Sequence, residues 1–399
     1  MTQPSTLEFL KTEAAAGAVL AGAALVAILA ANSPWAGAYN SFIHAPFTVQ
    51  LGAFSETYSV TDWVKEGLMA VFFFVVGMEI KLEVLRGELA NPRKLALPVL
   101  AALGGMVGPA AIYLLINPAA PPNAGWAVPT ATDIALAIAA LAAVSRGLPG
   151  SLRIFLLTMA VADDLGSILL IAVLFTHDLR LWELAGAALA LAGMALLGQW
   201  RRAPYLLYAV GFVILWGFIL KSGVSTSLAG VAAAMTVPIT ARRHGQEGVL
   251  KNFMDSLHPY VAFGVLPLFA FVSAGFSFAD LSWSDLVAPV PLGIIGGMFL
   301  GKQLGVFGAA AVAIRLGLGR KPTAATWLEL YGVCILCGVG FTMSLYIAAL
   351  AFPGEAGAQA GVRMAITAGS VLSALCGMAV LAYAARVRAL RGSGDPPGL

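Results

Sequence analysis

Val161-Ala162-Asp163-Asp164-Leu165-Gly166 places two adjacent carboxylates in the middle of an otherwise lipid-soluble stretch, residues 154–175. On membrane-insertion scales an Asp near a helix centre costs about 2.5–3.5 kcal/mol, while each Leu, Ile, Val or Phe returns about 0.3–0.6 kcal/mol. The stretch holds fourteen large apolar residues, so gain and cost nearly cancel once both Asp are ionised. Lipid alone does not hold such a helix. The pair must face protein, water or a bound ion, and its helix must sit in a larger membrane-embedded bundle.

The rest of the chain supplies that bundle. Of 399 residues, 60% are hydrophobic and 11% charged, against about 25% charged in a soluble domain. Apolar segments recur at about 9–31, 60–82, 95–116, 124–145, 151–176, 182–200, 204–220, 223–239, 253–275, 289–314, 326–350 and 361–386, which predicts twelve spans. Alternate connections hold the basic residues: Lys81, Arg86, Arg93 and Lys94; Arg146 and Arg153; Arg201 and Arg202; Arg242, Arg243 and Lys251; Arg315, Arg320 and Lys321; Arg386, Arg388 and Arg391. The other connections carry little beyond Arg180, Lys221 and Arg363. By the positive-inside rule both termini are then cytoplasmic. The run 9–31 follows mixed charge (Glu8, Lys11, Glu13) and is long enough to span, so it reads as a retained helix and not a signal peptide.

The fold class predicted is an all-α polytopic membrane protein, with one transmembrane transporter domain over 1–391 and a disordered Gly- and Pro-rich tail over 392–399. An outside loop holds the alternating patch Phe47-Thr48-Val49-Gln50-Leu51-Gly52, compatible with a β-hairpin at about 43–58 or with a plain loop. Residues 242–251 read as a polar cytoplasmic loop. A net charge of +3 is too small to suggest a nucleic-acid partner. Cys334, Cys337 and Cys376 all lie in apolar segments, and the C-x-x-C lacks the access and further ligands that a redox or zinc site needs.

Two spans are interrupted. The fourth carries Pro129-Thr130-Ala131-Thr132-Asp133, and the eleventh carries Gly338-Val339-Gly340-Phe341-Thr342-Met343-Ser344. Helix breakers at membrane depth are tolerated only where the freed backbone lines a cavity or finds buried partners. The two interruptions occupy the middle of spans three to five (95–176) and ten to twelve (289–386), triplets that start on opposite sides of the membrane. That arrangement predicts inverted-topology repeats with two discontinuous helices crossing near the midplane.

Four ionisable side chains lie deep in apolar spans: Asp133, Asp163, Asp164 and Lys302. They either pair to hold helices together or mark an ion path. A carboxylate at Asp133 suits half-helix N-termini, and Lys302 suits half-helix C-termini or Asp163. Asp163 and Asp164 are about 100° apart on a helix and cannot point at one spot. Carboxylates with Thr130, Thr132 and backbone carbonyls are hard oxygen ligands, suited to a small alkali cation. A proton and a cation each discharge such a carboxylate, so they compete for the same oxygens. With access from one side at a time, that competition produces exchange. No Walker-type phosphate motif is present, and neither ATP nor a redox cofactor is needed.

These residues resemble the NhaA-type bacterial sodium/proton antiporters. The likeness covers nearly the whole chain and rests on Val128-Pro129-Thr130-Ala131-Thr132-Asp133-Ile134-Ala135, Asp163-Asp164-Leu165-Gly166, Leu257-His258-Pro259, Leu266-Pro267-Leu268-Phe269-Ala270-Phe271, Gly301-Lys302 and Val339-Gly340-Phe341-Thr342-Met343-Ser344. The general rule on inverted transporter repeats already counts this family among its examples.

The resemblance implies a twelve-helix transporter, not an enzyme, in the bacterial inner membrane. It sends cytoplasmic Na⁺ or Li⁺ out and takes protons in, and serves pH homeostasis and salt tolerance. Asp163 and Asp164 would be the central cation and proton site, with Thr132 and Asp133 beside them and Lys302 as charge compensator. The resemblance also implies a homodimer in contact with membrane lipids. Its pH-responsive cluster maps to Glu79, Lys81, Glu83 and His258, while Leu82 stands where an Arg is expected and Met254 and Asp255 where a Glu-His pair is expected. Discharge of several carboxylates by one monovalent ion makes the exchange electrogenic. The alternative weighed is Na⁺-coupled symport of an organic solute, which needs a solute anchor, and no intramembrane Arg is present. Intramembrane aspartyl proteolysis leaves both interrupted spans unexplained.

Overall fold

A computed structural model describes residues 6–51, 54–87, 92–118, 124–176, 178–200, 203–239, 248–279, 284, 287–353 and 356–392. Nearly every apolar run is helical, because a backbone in lipid must satisfy its hydrogen bonds within its own segment. Among the described residues, nine helices are long and apolar enough to cross a membrane. The pair Trp327–Leu336 and Phe341–Ala351, bent by 42°, makes a tenth if counted as one span. Span eight shrinks to the helix Ser227–Thr236, ten residues long, which at 1.5 Å per residue covers only about half of a bilayer core. The Met69–Arg86 helix of span two carries Glu79, Lys81, Glu83 and Arg86 in its last turns. The loop predicted at 242–251 lies outside the described residues up to 247, as does the predicted tail from 393 onward.

The chain forms two compact units. One comprises residues 1–22, 91–167 and 276–399. Its core gathers Leu97, Ile138, Leu156, Met159, Val306 and Val333, all buried. Pro92–Ile116 packs closely against the continuous stretch Pro289–Gly296, Gly297–Gly301 and Lys302–Arg315. A methyl group on Gly104, Gly108, Gly301 or Gly305 would collide with the facing backbone, so these glycines set the approach. At the start of Trp327–Leu336, Thr326 and Glu329 form a capping box. Glu329, wholly buried, also accepts two 2.7 Å bonds from the Arg388 guanidinium.

The other unit comprises residues 23–90 and 168–275. Its strands Pro46–Leu51 and Phe54–Ser59 form an antiparallel hairpin with Phe47 opposite Tyr58 and Val49 opposite Glu56. The second strand runs directly into helix at Val60–Trp63, where Ser59 accepts a bond from the Asp62 amide. Lys221 pairs with Glu56 of the hairpin at 3.1 Å. Burial, and then the Glu56, Glu66 and Asp62 carboxylates, push the Tyr58 phenol above its ordinary range. Glu66 carries two bonds from a neighbouring segment: Trp216 Nε1 donates to its carbonyl at 2.7 Å and Thr226 Oγ1 to its carboxylate at 2.8 Å.

Candidate functional site

The site is assembled in the first unit by two segments that stop being helical. Residues 124–130, including Pro129, form a 3₁₀ turn; 131–133 are not helical, with Asp133 extended; an α-helix resumes as Ile134–Val144. Residues 337–340 likewise separate Trp327–Leu336 from Phe341–Ala351. Buried backbone groups freed in this way must find partners, and they find them in each other. The Asp133 amide donates to the Val339 carbonyl at 2.6 Å, Thr132 Oγ1 to the Cys337 carbonyl at 2.9 Å and Ser344 Oγ to the Val128 carbonyl at 2.8 Å. Thr130 Oγ1 turns back to the Ala127 carbonyl at 2.7 Å. Close approach explains two glycines: a Cβ on Gly338 would strike the Met298 carbonyl, and one on Gly340 would lie 2.6 Å from the Ala131 oxygen.

Asp133, 2% exposed, serves two helix starts at once. Its Oδ1 accepts the Leu136 amide of its own helix at 3.1 Å, and its Oδ2 accepts the Thr342 amide of the other segment at 3.0 Å together with the Thr342 hydroxyl. A carboxylate there compensates the positive ends of both helices.

Asp163 and Asp164, 0% and 2% exposed, project from the Gly150–Leu174 helix. Lys302, also 0% exposed, donates to Asp163 Oδ2 at 2.8 Å. The Thr132 hydroxyl and amide lie beside the Asp163 carboxylate as well. The Thr132 hydroxyl thus lies between the Cys337 carbonyl and the Asp163 carboxylate. Lys302 follows the π-helical turn Gly297–Gly301, and its amide reaches back to the Gly297 carbonyl; such turns recur at functional sites. Next to it, Gln303 accepts from Tyr331 OH at 2.5 Å.

Residues 7–381 match the family described as Na⁺/H⁺ antiporter 1. The chain belongs to this family. It is 43% identical over 392 residues to the Na⁺/H⁺ antiporter NhaA 1 of Syntrophotalea carbinolica, covering 98% of this chain and 99% of that protein. It is 46% identical over 397 residues to the Na⁺/H⁺ antiporter NhaA of Rhodospirillum rubrum, with 97% and 99% covered, and 46% identical to that of Bordetella parapertussis over 387 residues. This family member is a multi-pass membrane protein.

The residues expected to sense pH lie elsewhere, all in the second unit. Glu79, Lys81 and Glu83 are on Met69–Arg86, and Asp255 and His258 on Val249–Tyr260; the two helices meet through Phe74 and Phe253, ring centres 5.6 Å apart. Lys81 donates to the Met235 and Val237 carbonyls at 2.5 and 2.7 Å, closing the end of Ser227–Thr236. Sequence reading names neither Thr342 as the second donor to Asp133 nor Gln303 and Tyr331 beside Lys302. The signal for Thr342 is its place two residues after Gly340, where a resuming helix exposes its first amides.

Proposed function

We propose that this protein exchanges cytoplasmic Na⁺ or Li⁺ for external protons in the bacterial inner membrane, electrogenically and under pH control. The observation that carries the reading is the imbalance of buried charge. Among the described residues, the buried carboxylates Asp133, Asp163 and Asp164 stand against one buried amine, Lys302, which pairs with Asp163; the four carry a formal charge of −2 when all are ionised. Helix starts compensate Asp133 and Lys302 compensates Asp163, and the excess negative charge of the cluster calls for a mobile cation. Na⁺ or a proton meets that need, and each expels the other. In this proposal Asp164 is the cation ligand, with Thr132 and break carbonyls as further oxygens, and Asp163, in contact with Lys302, is its proton-linked partner.

The reading includes twelve spans, with inverted repeats over 95–176 and 289–386 and with both termini cytoplasmic. The segments interrupted at Pro129 and Thr130 and at Gly338 and Gly340 cross at the centre. No resident cofactor takes part, and homodimers form through the outside hairpin. The named relatives are all antiporters, which favours antiport over solute symport. The test is a proton gradient in inside-out vesicles. Na⁺ or Li⁺ alone collapses it with wild-type protein and not with Asp164→Asn. A requirement for an organic co-substrate, or retained activity in Asp164→Asn, sinks the proposal.

A further inference from the structure

Gln303, 4% exposed, stands next to Lys302 and makes two hydrogen bonds that the exchange just described does not use. Its Nε2 donates at 2.8 Å to the Phe299 carbonyl, inside the π-helical turn Gly297–Gly301 that immediately precedes Lys302. Its Oε1 accepts from Tyr331 OH at 2.5 Å. A carbonyl only accepts, so the amide atom turned to Phe299 is the nitrogen, and the oxygen is left for the Tyr331 hydroxyl, which donates. The Tyr331 ring is itself held: it meets Phe307 edge to face at 5.1 Å, and Phe307 follows Gln303 by four residues on the same face of Lys302–Arg315. Six residues beyond Tyr331, where its helix has just ended, the Cys337 carbonyl accepts the Thr132 hydroxyl beside Asp163. The Met298 carbonyl, also in the π turn, lies against Gly338. The wide turn and the broken span therefore meet twice, once at Met298 and once through Gln303.

A π turn closes i→i+5 bonds where an α-helix closes i→i+4, so relaxation of this turn to α geometry would rotate the residues after it about the helix axis, Lys302 first. We propose that Gln303 and Tyr331 are positioning residues: Tyr331 orients the Gln303 amide, the amide holds the π turn, and the turn keeps the Lys302 ammonium on Asp163 Oδ2. Neither residue touches the transported ion. A carboxylate fixed before the ion arrives binds it more tightly than one that must first be ordered, so the pair sets the affinity for Na⁺ and not the amount of working protein. That consequence rests on the antiport reading, whereas the coupling of the pair to Lys302 does not.

The experiment accordingly has two arms, both on the full-length protein. In proteoliposomes, Tyr331→Phe and Gln303→Met are each expected to raise the apparent KM for Na⁺ about tenfold, the worth of one buried hydrogen bond, with the saturated rate nearly unchanged. Because Tyr331 acts through Gln303, Tyr331→Phe should add nothing further in the Gln303→Met protein. In detergent, Tyr331→Phe is expected to lower the unfolding temperature of the wild type, and to lower that of the Lys302→Met/Asp163→Asn protein by about half as much or less, since no ammonium is left there to position. A falling saturated rate at constant KM, additive effects of the two substitutions on KM, or equal temperature shifts in the two backgrounds overturns the positioning role. Wild-type protein that shows no Na⁺-driven proton movement overturns the antiport reading instead, and the unfolding arm then decides the positioning role by itself.

Discussion

Lys302 Nζ donates to Asp163 Oδ2 at 2.8 Å, with neither side chain reaching solvent. Removing one member of a buried ion pair strands the other charge, at a cost of about 3–5 kcal/mol, whereas replacing both is often neutral. Lys302→Met or Asp163→Asn alone is therefore expected to lower thermal stability in detergent markedly. The double variant should recover most of the loss. Single variants as stable as the wild type, or a double variant worse than either single, would show that the pair is not held in this form.

Asp133 accepts from both Leu136 and Thr342. Helix caps are worth about 0.5–2 kcal/mol each, and hydrogen bonds to charged groups about 1.5–3 kcal/mol. Asp133→Ala should thus destabilise more than Asp133→Asn, which keeps one acceptor oxygen, and Thr342→Val should lose only the hydroxyl bond. The order Ala, Asn, then Thr342→Val in falling severity is to be read from thermal unfolding. Equal effects of all three would mean that the carboxylate does not bridge the two segments.

Gly104 and Gly305 press against each other's backbone, while nothing lies within 4 Å of the position a Cβ would take at Gly308 on the same helix as Gly305. Overpacking a close contact costs about 1–3 kcal/mol, and replacing an open helical Gly by Ala gains roughly 0.5–1 kcal/mol. Gly305→Ala is expected to lower the unfolding temperature and raise the apparent KM for Na⁺, since it displaces the helix that carries Lys302. Gly308→Ala should do neither. The pair of measurements separates backbone approach from helix propensity.

The costly features of the site are visible in sequence because they are rare where they stand. Asp163, Asp164 and Lys302 are charges within apolar runs, and Pro129, Gly338 and Gly340 break helices at membrane depth. Connectivity is not visible. Helical periodicity says which face a residue occupies, not what it meets; that Thr342 reaches Asp133 across 209 residues, or that Arg388 reaches Glu329 across 59, is set by tertiary packing. Span ends are equally obscure. Residues 223–239 are uniformly apolar or small, yet Gly223 adopts a left-handed conformation that ends the preceding helix, and the next helix starts only at Ser227.

The final prediction concerns pH. If Na⁺ and protons compete for the same buried oxygens, acid weakens Na⁺ binding by mass action and leaves the saturated rate unchanged. Below the pH at which the site begins to fill with protons, the apparent KM for Na⁺ should rise about tenfold per pH unit for one competing proton and about a hundredfold for two, since each competing proton contributes one power of its concentration. Exchange measured in proteoliposomes across pH at several Na⁺ concentrations supplies both slope and plateau. A slope of two would match the formal charge of −2 left by Asp133, Asp163, Asp164 and Lys302 and would support electrogenic stoichiometry. A constant KM with a falling plateau would place the decisive protonation outside the cation site. The groups to substitute next would be Glu79 and His258 on the two helices joined by Phe74 and Phe253.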